Sequence, residues 1–360
     1  MMLSREKQGV LLVNLGTPDA PTAEAVNPYL KEFLMDPFVL DENWLKRWIL
    51  VNLLIVPKRA PESAKAYLNI WTERGSPLLF HTQDLTQKVA QKLTGTPVEF
   101  GMRYGKPSIA SALQRLKAQG VTHVQMLPLY PQYSEAANRS SIDLARQCAE
   151  QLDLQLEATK DFYAHPAYVQ AVSEVSRPYF VQAYDHVLFS YHGLPERQLT
   201  KLSSACRCDE QCCKNISAQN ADCYRAQCYA TTTLLVHALQ IPEGKYSSSF
   251  QSRLGNTPWI RPYTDEKYLE LARAGKKRVL VMCPSFVADC LETIEEIGMR
   301  GQEDFHKAGG EMLQLVPSLN SADVWVDAVL TILQMEKTHE KNHCAVQSVA
   351  SVAEHHRVCC

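Results

Sequence analysis

Three short apolar segments of the chain recur in the same order in its second half, and this internal repeat constrains the fold more than any other feature. Each segment is a run of residues that favour β-strands, and each ends in glycine, proline or a polar residue. The pairs are residues 9–18 with 186–195, 98–105 with 246–255, and 124–131 with 279–284. A repeat of this kind predicts two halves of similar structure.

Longer stretches with helical periodicity separate these segments, a pattern typical of parallel strands joined by helices. We therefore predict an α/β protein of two similar Rossmann-like halves, residues 1–170 and 171–335, each a parallel sheet flanked by helices. The length of 360 residues agrees with two domains of ordinary size. Because ligands of such sheets bind beyond the carboxyl ends of the strands, we expect the active site in a cleft between the halves.

Charge and hydrophobicity exclude several classes of protein. The chain has 37 Lys and Arg against 39 Asp and Glu, whereas a dedicated nucleic-acid binder carries a clear basic excess. No apolar run is long enough to span a bilayer, and residues 10–15 are too few for the core of a signal peptide. We therefore expect a cytoplasmic enzyme that has no nucleic-acid partner.

Residues 44–56 combine apolar bulk with aromatic and basic residues. The segment contains Trp44, Trp48 and eight aliphatic residues, and Lys58 and Arg59 follow it. It is too short to span a membrane. The pattern suits a helix at a membrane surface, a lid over a hydrophobic ligand, or an ordinary core helix with basic ends.

The cysteines form a second unusual feature. Six of the 12 fall within 23 residues: Cys206, Cys208, Cys212, Cys213, Cys223 and Cys228. Without a secretory signal, such crowding indicates metal or redox chemistry more than a disulfide scaffold, and a loop of free thiols is the alternative. Residues 336–360 hold four of the 11 histidines and three further cysteines, and we expect them to form a flexible tail.

Two sets of residues are candidates for catalysis. His192 directly follows a predicted strand and precedes a glycine, and its imidazole can exchange protons near neutral pH, although a structural role is the alternative. If a helix begins near Ala288, the carboxylates of Asp289, Glu292 and Glu296 lie on one face of it. Such a ladder can bind a divalent cation or conduct protons, whereas acids in a first helical turn are also favoured by the helix dipole.

Six motifs, in order, resemble those of the ferrochelatases, which insert ferrous iron into protoporphyrin to make haem. They are NLGTP at 14–18, LYPQYS at 129–134, SYHGLP at 190–195, FQSR at 250–253, PW at 258–259 and DCLET at 289–293. The resemblance extends from about residue 9 to residue 330. It implies the chelatase fold, in which two Rossmann-like halves enclose a porphyrin cleft.

The resemblance also implies roles for individual residues. His192 and Glu292 would contact the iron or the pyrrole protons, His192 as general base and Glu292 as metal ligand or proton acceptor. Asp289 and Glu296 would extend an acidic path to solvent. The implied substrate-binding residues are Leu15, Ser76, Arg103, Tyr104, Tyr130, Tyr191 and Phe250. Residues 44–56 match the hydrophobic lip of the cleft, which favours the lid and is compatible with peripheral contact with the inner membrane.

The sequence departs from the family in its cysteines. Glu135 stands where many relatives have a cysteine that ligates a [2Fe–2S] cluster, and an insertion of about twenty residues follows Glu196. Cys228 matches a cysteine of relatives that have no cluster. Some bacterial members place cluster ligands internally, so the resemblance implies a [2Fe–2S] cluster held by four of Cys206, Cys208, Cys212, Cys213 and Cys223. Zinc and free thiols remain as alternatives.

We therefore predict that the chain inserts ferrous iron into protoporphyrin IX to form protohaem, the terminal step of haem synthesis. A coproporphyrin or cobalt chelatase of the same fold is one alternative. A haem- or metal-responsive binding protein without catalysis is another, and the intact set of His192, Asp289 and Glu292 argues against it.

Overall fold

The protein is described by a computed structural model that covers residues 7–202, 206–208, 210–255 and 257–342. The strands within these ranges are β1 (Gln8–Thr17), β2 (Val98–Gly105), β3 (His123–Pro128), β4 (Gln155–Ala158), β5 (His186–His192), β6 (Tyr246–Gln251), β7 (Arg278–Met282) and β8 (Met312–Leu315). The helices are α1 (Ala23–Leu34), α2 (Trp44–Ile49), α3 (Val56–Ile70), α4 (Pro77–Lys92), α5 (Ile109–Ala118), α6 (Ser140–Gln151), α7 (Pro166–Ser176), α8 (Glu196–Leu202), α9 (Glu210–Cys213), α10 (Tyr224–Leu239), α11 (Thr264–Arg273), α12 (Leu291–Thr293), α13 (Gln302–Lys307) and α14 (Asp323–Asn342). A 3₁₀ turn (Arg177–Val181) follows α7.

The strands form two four-stranded parallel sheets of the same topology. The first has the order β2-β1-β3-β4 and the second β6-β5-β7-β8. The three repeated segments of the sequence supply the first three strands of each sheet in the same positions. The predicted α/β fold with two similar halves is therefore confirmed.

Helices cover both faces of the sheets, which explains why the central strands are apolar along nearly their whole length. In β1, the residues from Gly9 to Asn14 are all buried, and β5 is buried from His186 to Tyr191. One hydrophobic cluster extends across both halves and includes Leu12, Phe162, Phe189 and Trp325.

The last helix crosses back to the first half. Helix α14 packs against α7 and α4, and Lys88 on α4 forms an ion pair with Asp323 at 2.8 Å. The domain boundary predicted between residues 170 and 171 falls inside α7, and it stays a prediction. Helix α14 continues to Asn342, beyond the predicted start of the tail at residue 336, and residues 343–360 lie outside the described part of the chain.

Three π-helical turns interrupt the helices: Leu50–Ile55, Glu135–Arg139 and Ile294–Gly301. Such turns are rare, and they concentrate at functional sites. Within the ranges given above, none of the helices combines the length and the hydrophobicity needed to cross a membrane.

Candidate active site

A cleft of about 1000 Å³ lies beyond the carboxyl ends of the central strands of both sheets. Five of the predicted site residues line it: Leu15 on β1, Ser76 before α4, Tyr130 after β3, His192 at the end of β5, and Glu292 on α12. Much of the remaining wall is apolar and includes Phe33, Leu78, Leu129, Leu194 and Phe286. The cleft can therefore hold a large apolar ligand beside a few ionisable groups.

The backbone next to His192 determines which ring nitrogen can accept a proton. Nδ1 of His192 lies 2.6 Å from the carbonyl oxygen of Gly193. A carbonyl oxygen only accepts hydrogen bonds, so Nδ1 carries the hydrogen and Nε2 keeps its lone pair. His192 is therefore arranged to act as a base through Nε2.

Gly193 is required by the close approach of its neighbours. A Cβ atom at this position would lie 2.8 Å from the carbonyl oxygen of Gln251 and 3.2 Å from the ring of Trp259. The backbone N–H of Gly193 donates to that Gln251 carbonyl at 2.7 Å. The glycine thus allows the end of β5 to approach β6 and Trp259 closely while it stays bonded to β6.

Glu292 is accompanied by hydroxyl and thiol groups in the same wall of the cleft. Burial raises the pKa of Tyr67, and the charge of Glu292 raises it further. Burial and Glu292 likewise raise the pKa of the Cys290 thiol, and Glu292 also contributes to the raised pKa of Tyr29. These groups therefore stay protonated near neutral pH, and the hydroxyl of Tyr67 and the thiol of Cys290 can donate hydrogen bonds to an anionic group in the cleft.

Tyr29 and Tyr67 were not predicted from the sequence. They lie on α1 and α3, where a buried tyrosine is indistinguishable from ordinary core residues of an amphipathic helix. Tyr29 donates to the carbonyl oxygen of Gly16 at 3.1 Å, and Ser76 accepts from the hydroxyl of Thr17 at 2.8 Å. Tyr29, Tyr67 and Ser76 together form a polar patch in a mostly apolar cleft.

The predicted helix that starts near Ala288 is wrong in its start and in its type. The helix begins at Leu291, with Cys290 as its N-cap, and it becomes a π-helical turn from Ile294. Asp289 therefore precedes the helix and does not share a helical face with Glu292 and Glu296. The three carboxylates do not form the ladder that α-helical spacing predicted.

The carboxylate of Asp289 accepts three hydrogen bonds. It accepts from the hydroxyl of Thr293 at 3.0 Å, from the backbone N–H of Ser318 at 3.2 Å and from the side-chain amide of Asn320 at 2.8 Å. Asp289 is buried and is not among the residues that line the cleft. It ties the start of α12 to the segment that follows β8.

Glu296 lies behind the cleft wall, and its carboxyl interacts electrostatically with both candidate catalytic residues, Glu292 and His192. Burial raises the pKa of its carboxyl, the charge of Glu292 raises it further, and His192 lowers it. The backbone N–H and the hydroxyl of Ser252 both donate to this carboxylate. The carboxyl of Glu296 therefore takes up a proton more readily than that of an ordinary surface glutamate.

Arg103 and Tyr104 lie one layer behind the cleft. Both contact the buried carboxylate of Asp36, Arg103 as an ion pair and Tyr104 through its hydroxyl at 2.9 Å. The ring of Tyr104 packs edge to face on Phe33, which does line the cleft. Ser140 also donates to Asp36, at 2.5 Å. Arg103 and Tyr104 thus contact Asp36 and do not themselves line the cleft, and their predicted contact with substrate stays a prediction.

Tyr191 and Phe250 face the core. Side chains alternate along a strand, so His192 and Tyr191 point to opposite faces of β5. Tyr191 is fully buried, and its hydroxyl lies 2.8 Å from that of Thr232 on α10. Phe250 packs beside Tyr191 with ring centroids 6.3 Å apart. Neither residue lines the cleft within the described part of the chain.

Residues 44–56 form α2, the π-helical turn Leu50–Ile55 and the first residue of α3. Val51 and Val56 are buried against a cluster that contains the cleft residues Leu15 and Leu291. The opposite side presents a large apolar surface whose side chains are 40–64% exposed: Trp44, Leu45, Trp48, Ile49, Leu53 and Leu54. Exposed apolar patches of this kind are typical of interaction sites.

The thiols of the Cys-rich insertion lie close together. The Sγ atoms of Cys206 and Cys208 are 3.6 Å apart, and those of Cys212 and Cys213 are 3.4 Å apart. A hydrogen bond from the Cys213 thiol and the backbone N–H groups that begin α10 lower the pKa of the Cys223 thiol. Five of the thiols of the insertion are thus placed as two close pairs and Cys223, whose thiol ionises more readily than usual.

No group of three or more His, Cys, Asp or Glu side chains is arranged to hold a metal ion anywhere in the ranges that the structure covers. The insertion also contains residues 203–205 and 209, which lie outside those ranges. The donor chemistry of the thiols fits an iron–sulfur cluster or zinc, since both take thiolate ligands.

Comparison with known proteins shows a family that covers nearly the whole chain. Residues 7–337 match the family model described as Ferrochelatase. The chain is 47% identical over 331 residues to a curated ferrochelatase of Pseudomonas fluorescens strain Pf0-1, which covers 90% of this chain and 97% of the relative. It is also 47% identical over 330 residues to a ferrochelatase of Legionella pneumophila strain Lens, covering 91% and 98%.

Among solved structures, the chain resembles SirB from Bacillus subtilis with Fe³⁺, with a TM-score of 0.51 at 12% identity over 94% of this chain and 98% of SirB. The sirohydrochlorin chelatase SirB of the subspecies spizizenii, in complex with cobalt, gives a TM-score of 0.52 at the same identity and coverage. At this identity the similarity concerns the fold alone, which is the two-half chelatase fold.

Proposed function

Because the chain belongs to the ferrochelatase family and inserts ferrous iron into protoporphyrin in haem synthesis, we propose that His192 and Glu292 carry this reaction in the cleft described above. The observation that carries the proposal is the bond from Nδ1 of His192 to the Gly193 carbonyl, which leaves Nε2 as a proton acceptor in a cleft that also contains Glu292.

Metal insertion replaces two pyrrole N–H protons of the porphyrin by one Fe²⁺ ion, so two protons must leave the ring. In our proposal, Nε2 of His192 accepts one of them as a general base. Glu292 is an iron ligand or the acceptor of the second proton, and Glu296 passes protons onward because it interacts with both residues. No change of oxidation state is required.

The walls of the cleft bind the porphyrin and shape it. Apolar side chains such as Leu15, Leu129 and Phe286 suit the macrocycle, and the hydroxyls of Tyr67 and Ser76 in the polar patch offer hydrogen bonds to its carboxylate groups. Tyr130 lines the same cavity. A cleft that fits a bent ring better than a flat one lowers the barrier to insertion, because the bent ring exposes its nitrogen lone pairs.

Glu292→Gln tests the assignment. We expect it to bind protoporphyrin with unchanged affinity and to lower kcat by about 100-fold or more, since the amide neither accepts a proton nor ligates iron well. The matched control is Glu295→Gln, which changes a carboxylate of the same helical segment that pairs with Arg300 at 3.0 Å and does not line the cleft. Full activity of Glu292→Gln would overturn the role of Glu292.

We further propose that four of the five thiols Cys206, Cys208, Cys212, Cys213 and Cys223 hold a [2Fe–2S] cluster. The close pairs and the lowered pKa of Cys223 support this, because thiolates are the ligands of such clusters. When bound, the cluster would supply redox-sensitive cross-linking of the insertion, and no step of iron insertion passes through it.

Protein purified without oxygen should contain iron and acid-labile sulfide in equal amounts. Its visible absorption should disappear in Cys206→Ser or in Cys208→Ser, because at least one of these two thiols belongs to any set of four. Cys148→Ser is the control, because this half-buried cysteine lies outside the insertion. Zinc without sulfide would assign a zinc site. A folded protein without either metal would overturn the proposal.

We propose that the protein is cytoplasmic and that the apolar surface of residues 44–54 binds the bilayer surface of the inner membrane. Exposed tryptophans and leucines with the basic Lys58 and Arg59 nearby suit an anionic lipid surface. The double variant Trp48→Ser, Leu53→Ser should lose sedimentation with anionic phospholipid vesicles. Val181→Ser, a control at an apolar residue that is 88% exposed, should keep it. Failure of the unaltered protein to sediment would leave only the lid function for this segment.

A further inference from the structure

We propose that Tyr224 is a positioning residue for His192, and that its hydroxyl fixes the peptide unit that holds the imidazole in the Nδ1–H tautomer. The functional consequence rests on the proposed role of His192 as the base. The tautomer itself can be measured without any assay of activity.

Tyr224 is the first residue of α10, it is buried, and it lines the cleft. Its hydroxyl oxygen lies 2.8 Å from the carbonyl oxygen of His192 and 3.0 Å from the hydroxyl of Ser285. The carbonyl only accepts, so the single phenolic hydrogen points to His192, and Ser285 donates to the phenolic oxygen. Burial raises the pKa of Tyr224 well above its ordinary value, so this donor persists at neutral pH.

The hydroxyl acts on a peptide unit that has few other restraints. Gly193 has no side chain that could pack, so hydrogen bonds determine the orientation of its peptide groups. The unit between His192 and Gly193 is held by two of them: its carbonyl accepts from Tyr224, and its N–H donates to Gln251 at 2.7 Å. Removal of the Tyr224 hydroxyl therefore removes one of these two bonds.

The orientation of this unit determines where the next carbonyl lies. That carbonyl belongs to Gly193, and it accepts from Nδ1 of His192 at 2.6 Å. If the unit rotates, the carbonyl moves away from the ring and no longer favours hydrogen at Nδ1. The Nε2–H tautomer then becomes populated, and in that form Nε2 cannot accept a pyrrole proton.

If the ring of Tyr224 only packs against its neighbours, removal of its hydroxyl leaves the tautomer of His192 unchanged. If the hydroxyl sets the tautomer, its removal changes it. We therefore choose Tyr224→Phe, which keeps the ring and removes the hydroxyl. The control is Tyr263→Phe, since Tyr263 is also buried in the second half, and its hydroxyl donates to the carbonyl of Trp259 at 3.2 Å. Tyr263 does not line the cleft.

The decisive readout is the ¹⁵N spectrum of the His192 ring in protein labelled at histidine, assigned by its absence in His192→Ala. The unaltered protein and Tyr263→Phe should show the Nδ1–H tautomer, whereas Tyr224→Phe should show a mixture of the Nδ1–H and Nε2–H tautomers. An Nε2–H tautomer in the unaltered protein would overturn the proposal whether or not the variant folds, and so would an unchanged spectrum in folded Tyr224→Phe.

Kinetics give the second readout. Tyr224→Phe should lower kcat about 10-fold with the KM for porphyrin within about twofold, because the base is misplaced and the binding walls are intact. A rise in KM alone would indicate a role in packing and contradict the proposal. Activity in His192→Ala would instead refute the proposed base while leaving the tautomer measurement valid, so the two failures can be told apart.

Discussion

Ser252 donates both of its hydrogen-bonding groups to one carboxylate, that of Glu296: the backbone N–H at 2.9 Å and the hydroxyl at 2.5 Å. Ser252 has a φ of 66°, in the left-handed region that non-glycine residues rarely adopt. Ser252, which directly follows β6, thus adopts an unfavourable backbone conformation, and in that conformation both of its donors bind Glu296. Glu296 is thereby held near Glu292 and His192 while it is still buried.

We expect Glu296→Gln to stabilise the protein at neutral pH but not at about pH 4. Burial and the charge of Glu292 raise the pKa of Glu296 above its ordinary value of 4.5, so the folded state takes up a proton more readily than the unfolded state. The native protein therefore loses stability as the pH rises from about 4.5 through the raised pKa, whereas the neutral amide does not.

Melting temperatures of both proteins between pH 4 and 8 test this prediction. The difference in melting temperature in favour of the variant should grow with pH over this window and level off above the raised pKa of Glu296. Parallel curves for the two proteins would show that Glu296 does not titrate differently in the folded state.

Gly193→Ala should reduce activity far more than stability. Its Cβ would press on the carbonyl of Gln251, and relief of this overlap displaces the carbonyl to which His192 donates. We expect kcat to fall about 100-fold, because small displacements of a catalytic group have large effects. Gly9→Ala is the matched control, with a Cβ 2.9 Å from Val121 at the start of β1. Equal activity losses in the two variants would contradict this account.

Arg103→Ala should lower the free energy of unfolding and leave the affinity for porphyrin nearly unchanged. The side chain of Asp36 is only 1% exposed, and removal of its ion-pair partner leaves a buried charge at a cost of about 3 kcal/mol. Arg115→Ala, which breaks a more exposed pair with Glu99, should cost about 1 kcal/mol or less. Denaturant unfolding and fluorescence titration with protoporphyrin measure the two effects. A large loss of affinity without loss of stability would place Arg103 in contact with substrate.

The strands could be predicted because the evidence for them is local. Apolar runs that end in glycine or proline identify β1 and β5. Residues at the carboxyl ends of such strands, for example His192, lie at the ligand-binding edge of the sheet in this fold. Tyr191 shows the limit of that reasoning. It belongs to the same motif as His192, but strand alternation turns its side chain into the core.

The acidic segment could not be predicted in detail, because its conformation depends on tertiary contacts. Spacing on an α-helix places Asp289 with Glu292, but Asn320 and Ser318 bind Asp289 before the helix begins. A π-helical turn then replaces α-helical geometry from Ile294 onward. Single-sequence patterns do not distinguish such a turn from an α-helix.

The most direct test of the central claim is metal insertion by the unaltered protein and by His192→Ala in the absence of oxygen. Ferrous iron and protoporphyrin are added, and the loss of free-porphyrin fluorescence is followed. We predict rapid loss with the unaltered protein and loss at least about 100-fold slower with the folded variant, which should still bind porphyrin. Equal rates for the two proteins would contradict the role of His192, and tight porphyrin binding without insertion by either would contradict the proposed activity of the cleft.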